Sequence, residues 1–191
     1  MAIGTWVDDI VGYASTTRLM KKFVADISKE FKVDDRGDLT WALGMSISRN
    51  RADRTATISC GARVRALGER YGVHTSSHRK YETPADATVL SLDDGEEQNL
   101  EANEKTRALI GALIYISSTC RPDIAQATYR VARYMGKPNV KVWGACMRIL
   151  VYLLHTVDQG RHLRRGARRG SRAQRHAPAF WTRKRASQRG R

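Results

Sequence analysis

Gly4-Thr5-Trp6-Val7-Asp8-Asp9-Ile10-Val11-Gly12-Tyr13 sets two short β-prone runs around an adjacent pair of carboxylates. The flanking residues are rich in Val, Ile, Tyr and Trp, which predicts strand, tight turn, strand, with the carboxylates turned outward at the tip. A rigid tip of this kind suits a hard cation that takes oxygen ligands at about 2.1 Å. Neighbouring carboxylates repel, and they stay charged together most easily against a cation or a basic surface. Asp8 and Asp9 are therefore candidate Mg²⁺ ligands and candidate catalytic residues. Two ions about 3.5–4 Å apart could activate a 3′-hydroxyl and stabilise the leaving pyrophosphate oxygen in nucleotidyl transfer. The same two residues also suit an ordinary Asp-Asp turn whose charges are solvated without a metal.

Outward from the pair, Thr16 or Thr17 can cap a helix over about residues 17–31. Leu19, Phe23 and Ile27 recur at four-residue spacing, and Met20, Val24 and Phe31 widen the apolar stripe. Such a stripe should pack beneath the hairpin sheet. Lys21, Lys22, Lys29 and Lys32 read as a solvated face. After Arg36-Gly37 a second hairpin is expected, with Leu39–Ser48 as one strand, Asn50–Arg54 as the polar turn and Thr55–Cys60 as the return. Arg49, Arg51 and Arg54 would sit at or near its tip, either as plain solvated charge or against a phosphate backbone.

A short helix over about Ala62–Tyr71 should end at Gly72. From His74 to Asn99 no periodicity is sustained, and the stretch with Asp93, Asp94, Glu96 and Glu97 reads as a surface connector. His74 and His78 share four-residue spacing, yet no nearby cysteine completes a zinc set. Three apolar-striped helices follow. The first runs over about Glu101–Thr119 with Leu109, Ile110, Leu113, Ile114 and Ile116, and the second starts near Asp123 with Ile124, Ala127, Val131 and Met135. The third covers about Lys141–Thr156 with Trp143, Cys146, Ile149, Leu150, Leu153 and Leu154. Pro122 suits a first helical turn, and Asp123 complements the helix N-terminus.

Trp6-Val7-Asp8-Asp9 resembles the Tyr-Val-Asp-Asp motif of Ty1/copia-type retrotransposon reverse transcriptases, and later blocks follow in that family's order over roughly residues 3–160. These blocks are Phe31-Lys32-Val33-Asp34-Asp35-Arg36-Gly37-Asp38-Leu39, Leu43-Gly44-Met45-Ser46-Ile47, Thr83-Pro84, Leu109–Tyr115, Arg121-Pro122-Asp123-Ile124-Ala125, and Arg148–Leu153 followed by Thr156. The chain departs from the pattern at Trp6, which replaces a tyrosine, at Cys60-Gly61, where the family tends to have Ser-Gln, and at Cys120, inserted before Arg121-Pro122-Asp123. The resemblance implies an α+β fold in which residues 1–60 form a partial polymerase palm of two β-hairpins packed on a helix. Residues 61–100 would be a short helix and connector, and 101–160 a helical thumb and connection region. It also implies Mg²⁺ held by Asp8 and Asp9, and an RNA or DNA template-primer as partner. The family's further catalytic aspartate and its nucleotide-gripping fingers lie upstream of the carboxylate pair, and only seven residues precede Asp8. The expectation is a polymerase-derived chain that is inactive alone.

Charge adds a second functional expectation. The formal net charge is +15 over 191 residues, and eleven arginines and one lysine with no acid place +12 of it in residues 161–191. A tail rich in Arg, Gly, Ser and Ala has little to bury and should be disordered. It would bind nucleic acid through phosphates whatever the sequence, and Phe180 and Trp181 could stack on bases. The alternative function is thus a non-catalytic nucleic-acid-binding remnant. Where the family would continue into an RNase H domain, this tail also fits a shifted or decayed reading frame. No run of eighteen uncharged apolar residues is present, which argues against a membrane span. Asp8 and Asp9 stand where a secretory signal would need an apolar core. Three scattered cysteines offer neither a disulfide framework nor a zinc signature. An intracellular setting, cytoplasmic or nuclear, is expected.

Overall fold

The computed structural model describes residues 1–92, 100–164 and 179–184, so the acidic patch of the connector and most of the basic tail lie outside the described residues. The fold is mixed α and β, with helices and two small four-stranded sheets. It divides into two compact units, Met1–Thr57 with Leu163–Arg191, and Ile58–His162.

The first unit opens on the expected hairpin. Strands β1 (Ala2–Trp6) and β2 (Asp9–Tyr13) pair antiparallel from Ala2 opposite Tyr13 to Trp6 opposite Asp9. Helix α1 (Thr17–Glu30) starts at Thr16, whose extended backbone lets its Oγ1 accept the Leu19 N–H at 3.4 Å. It ends where the Phe31 N–H reaches the Ile27 carbonyl at 3.0 Å. The apolar stripe is half-buried at Met20, Phe23, Val24 and Ile27 and exposed at Leu19 and Phe31, and the main neighbour of the helix is β3 (Val33–Asp38), a strand of the same four-stranded sheet as the hairpin. Amphipathic spacing fixed the helix and its faces, but a stripe is buried only where another element covers it.

The expected single strand over Leu39–Ser48 is broken. Strand β4 (Trp41–Ala42) reverses through Leu43 and Gly44, with φ of 51° and 78°, into β5 (Met45–Asn50), so that Ala42 faces Met45. Positive φ at both central residues is the signature of a tight hairpin turn, and Gly44 takes it without the steric cost that Leu43 bears. The next turn lies where the polar residues placed it. Asn50 Oδ1 accepts the N–H groups of Ala52 and Asp53 at 3.0 and 3.2 Å, and β6 (Thr55–Ser59) returns. All five β6 residues are half-buried, so the alternation of Thr55, Thr57 and Ser59 with Ala56 and Ile58 does not separate a dry face from a wet one.

Part of the stretch expected to be a disordered tail is strand. Strand β7 (Arg161–Arg164) joins the sheet of order β4-β5-β6-β7, and β8 (Ala179–Lys184) enters the other sheet, of order β1-β2-β8-β3. Strand β8 pairs antiparallel with both neighbours, with Val11 opposite Trp181 and Val33 opposite Lys184. Phe-Trp-Thr is the one β-prone run in the arginine-rich segment, which is why this piece can pair. The remainder of the tail, 165–178 and 185–191, and the side chains of Phe180 and Trp181 lie outside the described residues.

Among the described residues, the second unit holds most of the dry core. Helix α2 (Gly61–Tyr71) ends at Gly72 in the left-handed conformation, as expected. Gly68 is required by close packing, since a Cβ there would lie 2.9 Å from Leu154 Cδ2 and 3.0 Å from the Val73 carbonyl oxygen. The connector is not featureless, because α3 (Ala87–Leu90) buries Val89 completely. Helix α4 (Leu100–Thr119) buries Leu109, Ile110, Leu113 and Ile116, whereas Ile114 of the expected face points to solvent at 41% exposure. A 3₁₀ turn at Pro122–Ile124 leads into α5 (Ala125–Ala132), which buries Ala127 and Val131. Helix α6 (Val140–His155), capped by Asn139, buries Cys146, Ile149, Leu150 and Leu153. Among the described residues, no helix is long and apolar enough to cross a membrane.

Three scattered cysteines offered no disulfide framework in sequence, yet two of them are paired in the fold. Cys60, just before α2, and Cys120, just after α4, are bonded across 60 residues with their Cα atoms 6.1 Å apart. Spacing in sequence could not show this pairing because it is made by tertiary packing.

A buried ionic network closes the same end of this unit. Arg121, 3% exposed, donates to both Asp123 carboxylate oxygens at 2.9 and 2.7 Å, to the Thr156 carbonyl at 2.9 Å and to Thr156 Oγ1 at 2.7 Å. The Tyr152 hydroxyl donates to Asp123 at 3.0 Å. The guanidinium thereby meets the C-terminal carbonyl end of α6, where positive charge is favoured. Burial pulls the Asp123 carboxyl upward, but the hydrogen bonds and charge of Arg121 outweigh it and hold the group below its ordinary value. Arg121→Leu should destabilise this unit by about 3 kcal/mol, the low end for breaking a buried pair because a third of Asp123 meets solvent. Asp123→Asn should also destabilise it. A depressed folded-state value gives stability that is complete above the unfolded-state value and lost as pH falls through the folded-state one. Urea denaturation of parent and Asp123→Asn should therefore differ at neutral pH and converge in strong acid.

Candidate functional site

The β1–β2 register leaves Val7 and Asp8 as the two residues of the turn, directly after Trp6 and directly before Asp9. Asp8 is exposed, while Asp9 is the first residue of β2 and half-buried. The structure thus places the two predicted site residues together at the hairpin tip, one in the loop and one anchored in the ladder. Val7 has φ of 52°, a left-handed conformation that a β-branched side chain adopts only under strain of roughly 1–3 kcal/mol. The five-pair ladder holds the backbone of the turn in that shape. Trp6 and Val7 stand 67% and 87% exposed beside the pair, an apolar rim around a charged tip.

The other nearby acids have different work. Asp34 pairs with Arg36 at 2.9 Å, Asp35 Oδ1 accepts the Gly37 N–H at 2.9 Å, and both oxygens of Asp38 accept from Arg51 at 3.0 Å. Arg51 is thereby tied down within the unit, and Arg49 lines an open groove of about 640 Å³ with Ile3, Val11, Tyr13 and Leu39. Strand β8 adds a relation that the amino-acid pattern did not reveal, because Arg183 stands at the register position opposite both Asp9 on β2 and Asp34 on β3.

A two-metal centre needs more oxygen donors than one carboxylate pair supplies. Among the described residues no group of three or more His, Cys, Asp or Glu side chains could hold an ion, and His74 and His78 belong to no such group. The described residues therefore do not make a complete metal centre by themselves. What the hairpin supplies is an adjacent pair of carboxylate groups, oxygen donors of the type that Mg²⁺ prefers.

The chain is similar to proteins of known description along about four fifths of its length. It is 30% identical over 167 residues, 84% of this chain, to a retrovirus-related Pol polyprotein from transposon RE2 of Arabidopsis thaliana. It is 31% identical over 157 residues, 79% of this chain, to the retrovirus-related Pol polyprotein from transposon TNT 1-94 of Nicotiana tabacum. A third relative, the retrovirus-related Pol polyprotein from transposon RE1 of Arabidopsis thaliana, is 30% identical over 162 residues. The chain spans 11–12% of the length of these curated relatives. No family model and no solved structure matches it.

Proposed function

We propose that this chain, which belongs with the Pol polyproteins of Ty1/copia-type retrotransposons, carries part of the active site of a reverse transcriptase, an RNA- or DNA-directed DNA polymerase. The observation that carries the proposal is the Asp8-Asp9 pair at the tip of a strained two-residue hairpin, inside a segment whose blocks follow the family order. Asp8 is the leading Mg²⁺ ligand and Asp9 its companion, with the remaining donors supplied from outside the described residues. Bound Mg²⁺ would supply charge stabilisation for nucleotidyl transfer. The chain's own part is to hold two carboxylates at the end of a paired ribbon, with Trp6 beside the primer or nucleotide. Residues 1–60 are then a partial palm, and 101–160 a helical thumb and connection.

The second reading, a nucleic-acid-binding remnant without catalysis, draws on the +12 charge of residues 161–191. The two readings separate in a chimera. Residues 2–13 should replace the matching hairpin of an active copia-type reverse transcriptase with primer extension retained, and Asp8→Asn in that chimera should cut extension by roughly 10²–10³-fold or more. A chimera that extends equally well with Asp8→Asn would remove these carboxylates from catalysis and leave the binding reading.

A further inference from the structure

Two cysteines stand at two separate departures from the copia pattern, Cys60 at a Ser-Gln position and Cys120 as an insertion, and the fold brings them together. Their Cα atoms lie 6.1 Å apart, within the span that a disulfide requires. Both are buried, at 2% and 1% exposure, and Cys60 Sγ lies 3.4 Å from Thr119 Oγ1. The bond joins the start of α2 to the end of α4, one residue before Arg121 and its ionic network. It closes a loop of 60 residues in the helical unit. The third cysteine, Cys146, cannot compete as a partner, because it is buried inside α6 and burial pushes its thiol up to about 12.

We infer that Cys60 and Cys120 form a redox-responsive staple, open as two thiols in a reducing setting and closed as one disulfide in an oxidising one, that sets the stability of the helical unit. The inference is independent of the polymerase reading. Closure uses a low-molecular-weight disulfide such as oxidised glutathione. One cysteine thiolate attacks a sulfur of that reagent and expels a thiolate. The second cysteine thiolate then attacks the resulting mixed disulfide and expels the other. One S–S bond forms as one breaks, the two cysteines are oxidised, the reagent is reduced to two thiols, and the two protons end on those thiols. Since both sulfurs are buried, exchange proceeds through local opening at the α2 start. A loop of this size gives a large entropic advantage to the closed form.

The test uses the full 191-residue chain equilibrated with oxidised or reduced glutathione, then acid-quenched, unfolded and titrated for thiols. One reactive thiol is expected after oxidation and three after reduction. Thermal melting followed by helical circular dichroism should show the oxidised form higher by about 10 °C or more. The shift should persist in Cys146→Ala and vanish in Cys120→Ala. Three thiols after oxidation, or a shift that survives Cys120→Ala, would overturn the inference. Should Cys120→Ala not fold, Cys146→Ala decides alone, with zero thiols and no glutathione adduct in the intact mass expected after oxidation, and any remaining thiol or bound glutathione overturning the pairing.

Discussion

The 191-residue chain, purified and supplied with primer-template, deoxynucleotides and Mg²⁺, is expected to give no primer extension above background. Nucleotidyl transfer requires the attacking hydroxyl, the α-phosphate and the ions to be held in line, and positional and electrostatic effects of this kind make up most of the rate enhancement. Among the described residues no group of three or more His, Cys, Asp or Glu side chains could hold an ion, and the hairpin offers one pair of carboxylates. The parent should therefore be indistinguishable from Asp8→Asn in a gel-based extension assay run over hours. Extension by the parent that is lost in Asp8→Asn would mean that a complete site assembles from this chain, and would replace the part-site reading with an active enzyme.

Neutralising the tail should change nucleic-acid binding more than any substitution in the body. Arg165, Arg168, Arg169, Arg172, Arg175, Arg185, Arg189 and Arg191 lie outside strands β7 and β8, so changing all of them to Gln removes eight positive charges without altering either strand. Each phosphate neutralised on duplex DNA contributes about 0.9 to the slope of log affinity against log salt. The parent should thus lose roughly 10³-fold or more in affinity between 50 and 200 mM salt, while the neutralised variant, which keeps Arg161, Arg164, Arg183 and Lys184, binds more weakly at both and shows a clearly shallower titration. Fluorescence anisotropy with a labelled duplex reads both quantities. An unchanged slope would move the binding surface to the body of the chain.

Local patterns were legible, and long-range pairings were not. The strands around Val7-Asp8, the Thr16 cap, the Asn50–Arg54 turn, the Gly72 stop and the helices α4 and α6 each depend on residues a few positions apart, and all of them stand in the structure, while the helix expected from near Asp123 through Met135 is a 3₁₀ turn and then α5, which ends at Ala132. The two-residue reversal at Leu43-Gly44 was hidden because Leu43 is a poor signal for positive φ. Insertion of β8 between β2 and β3, and the pairing of Cys60 with Cys120, join residues far apart in sequence, and a single chain carries no local trace of either. The candidate site divides the same way. Asp8 and Asp9 at a hairpin tip could be read directly, whereas the strain at Val7 and the register of Arg183 against Asp9 emerged only from the folded backbone.

The uneven distribution of dry core between the two units has a consequence for mutational tolerance. Within residues 1–57 the buried apolar side chains are Ala14, Leu39 and Ala42, whereas the helical unit buries long runs of Leu, Ile and Val. Substitutions in the helices are filtered by packing, because each lost methylene leaves a cavity. An exposed hairpin tip escapes that filter, and an exchange such as Asp8→Asn should leave foldedness nearly untouched. Under relaxed selection the carboxylate pair would drift well before the helical scaffold unravelled, so an intact Asp8-Asp9 in a descendant sequence would report selection on chemistry, while an intact helical core would report only the ability to fold.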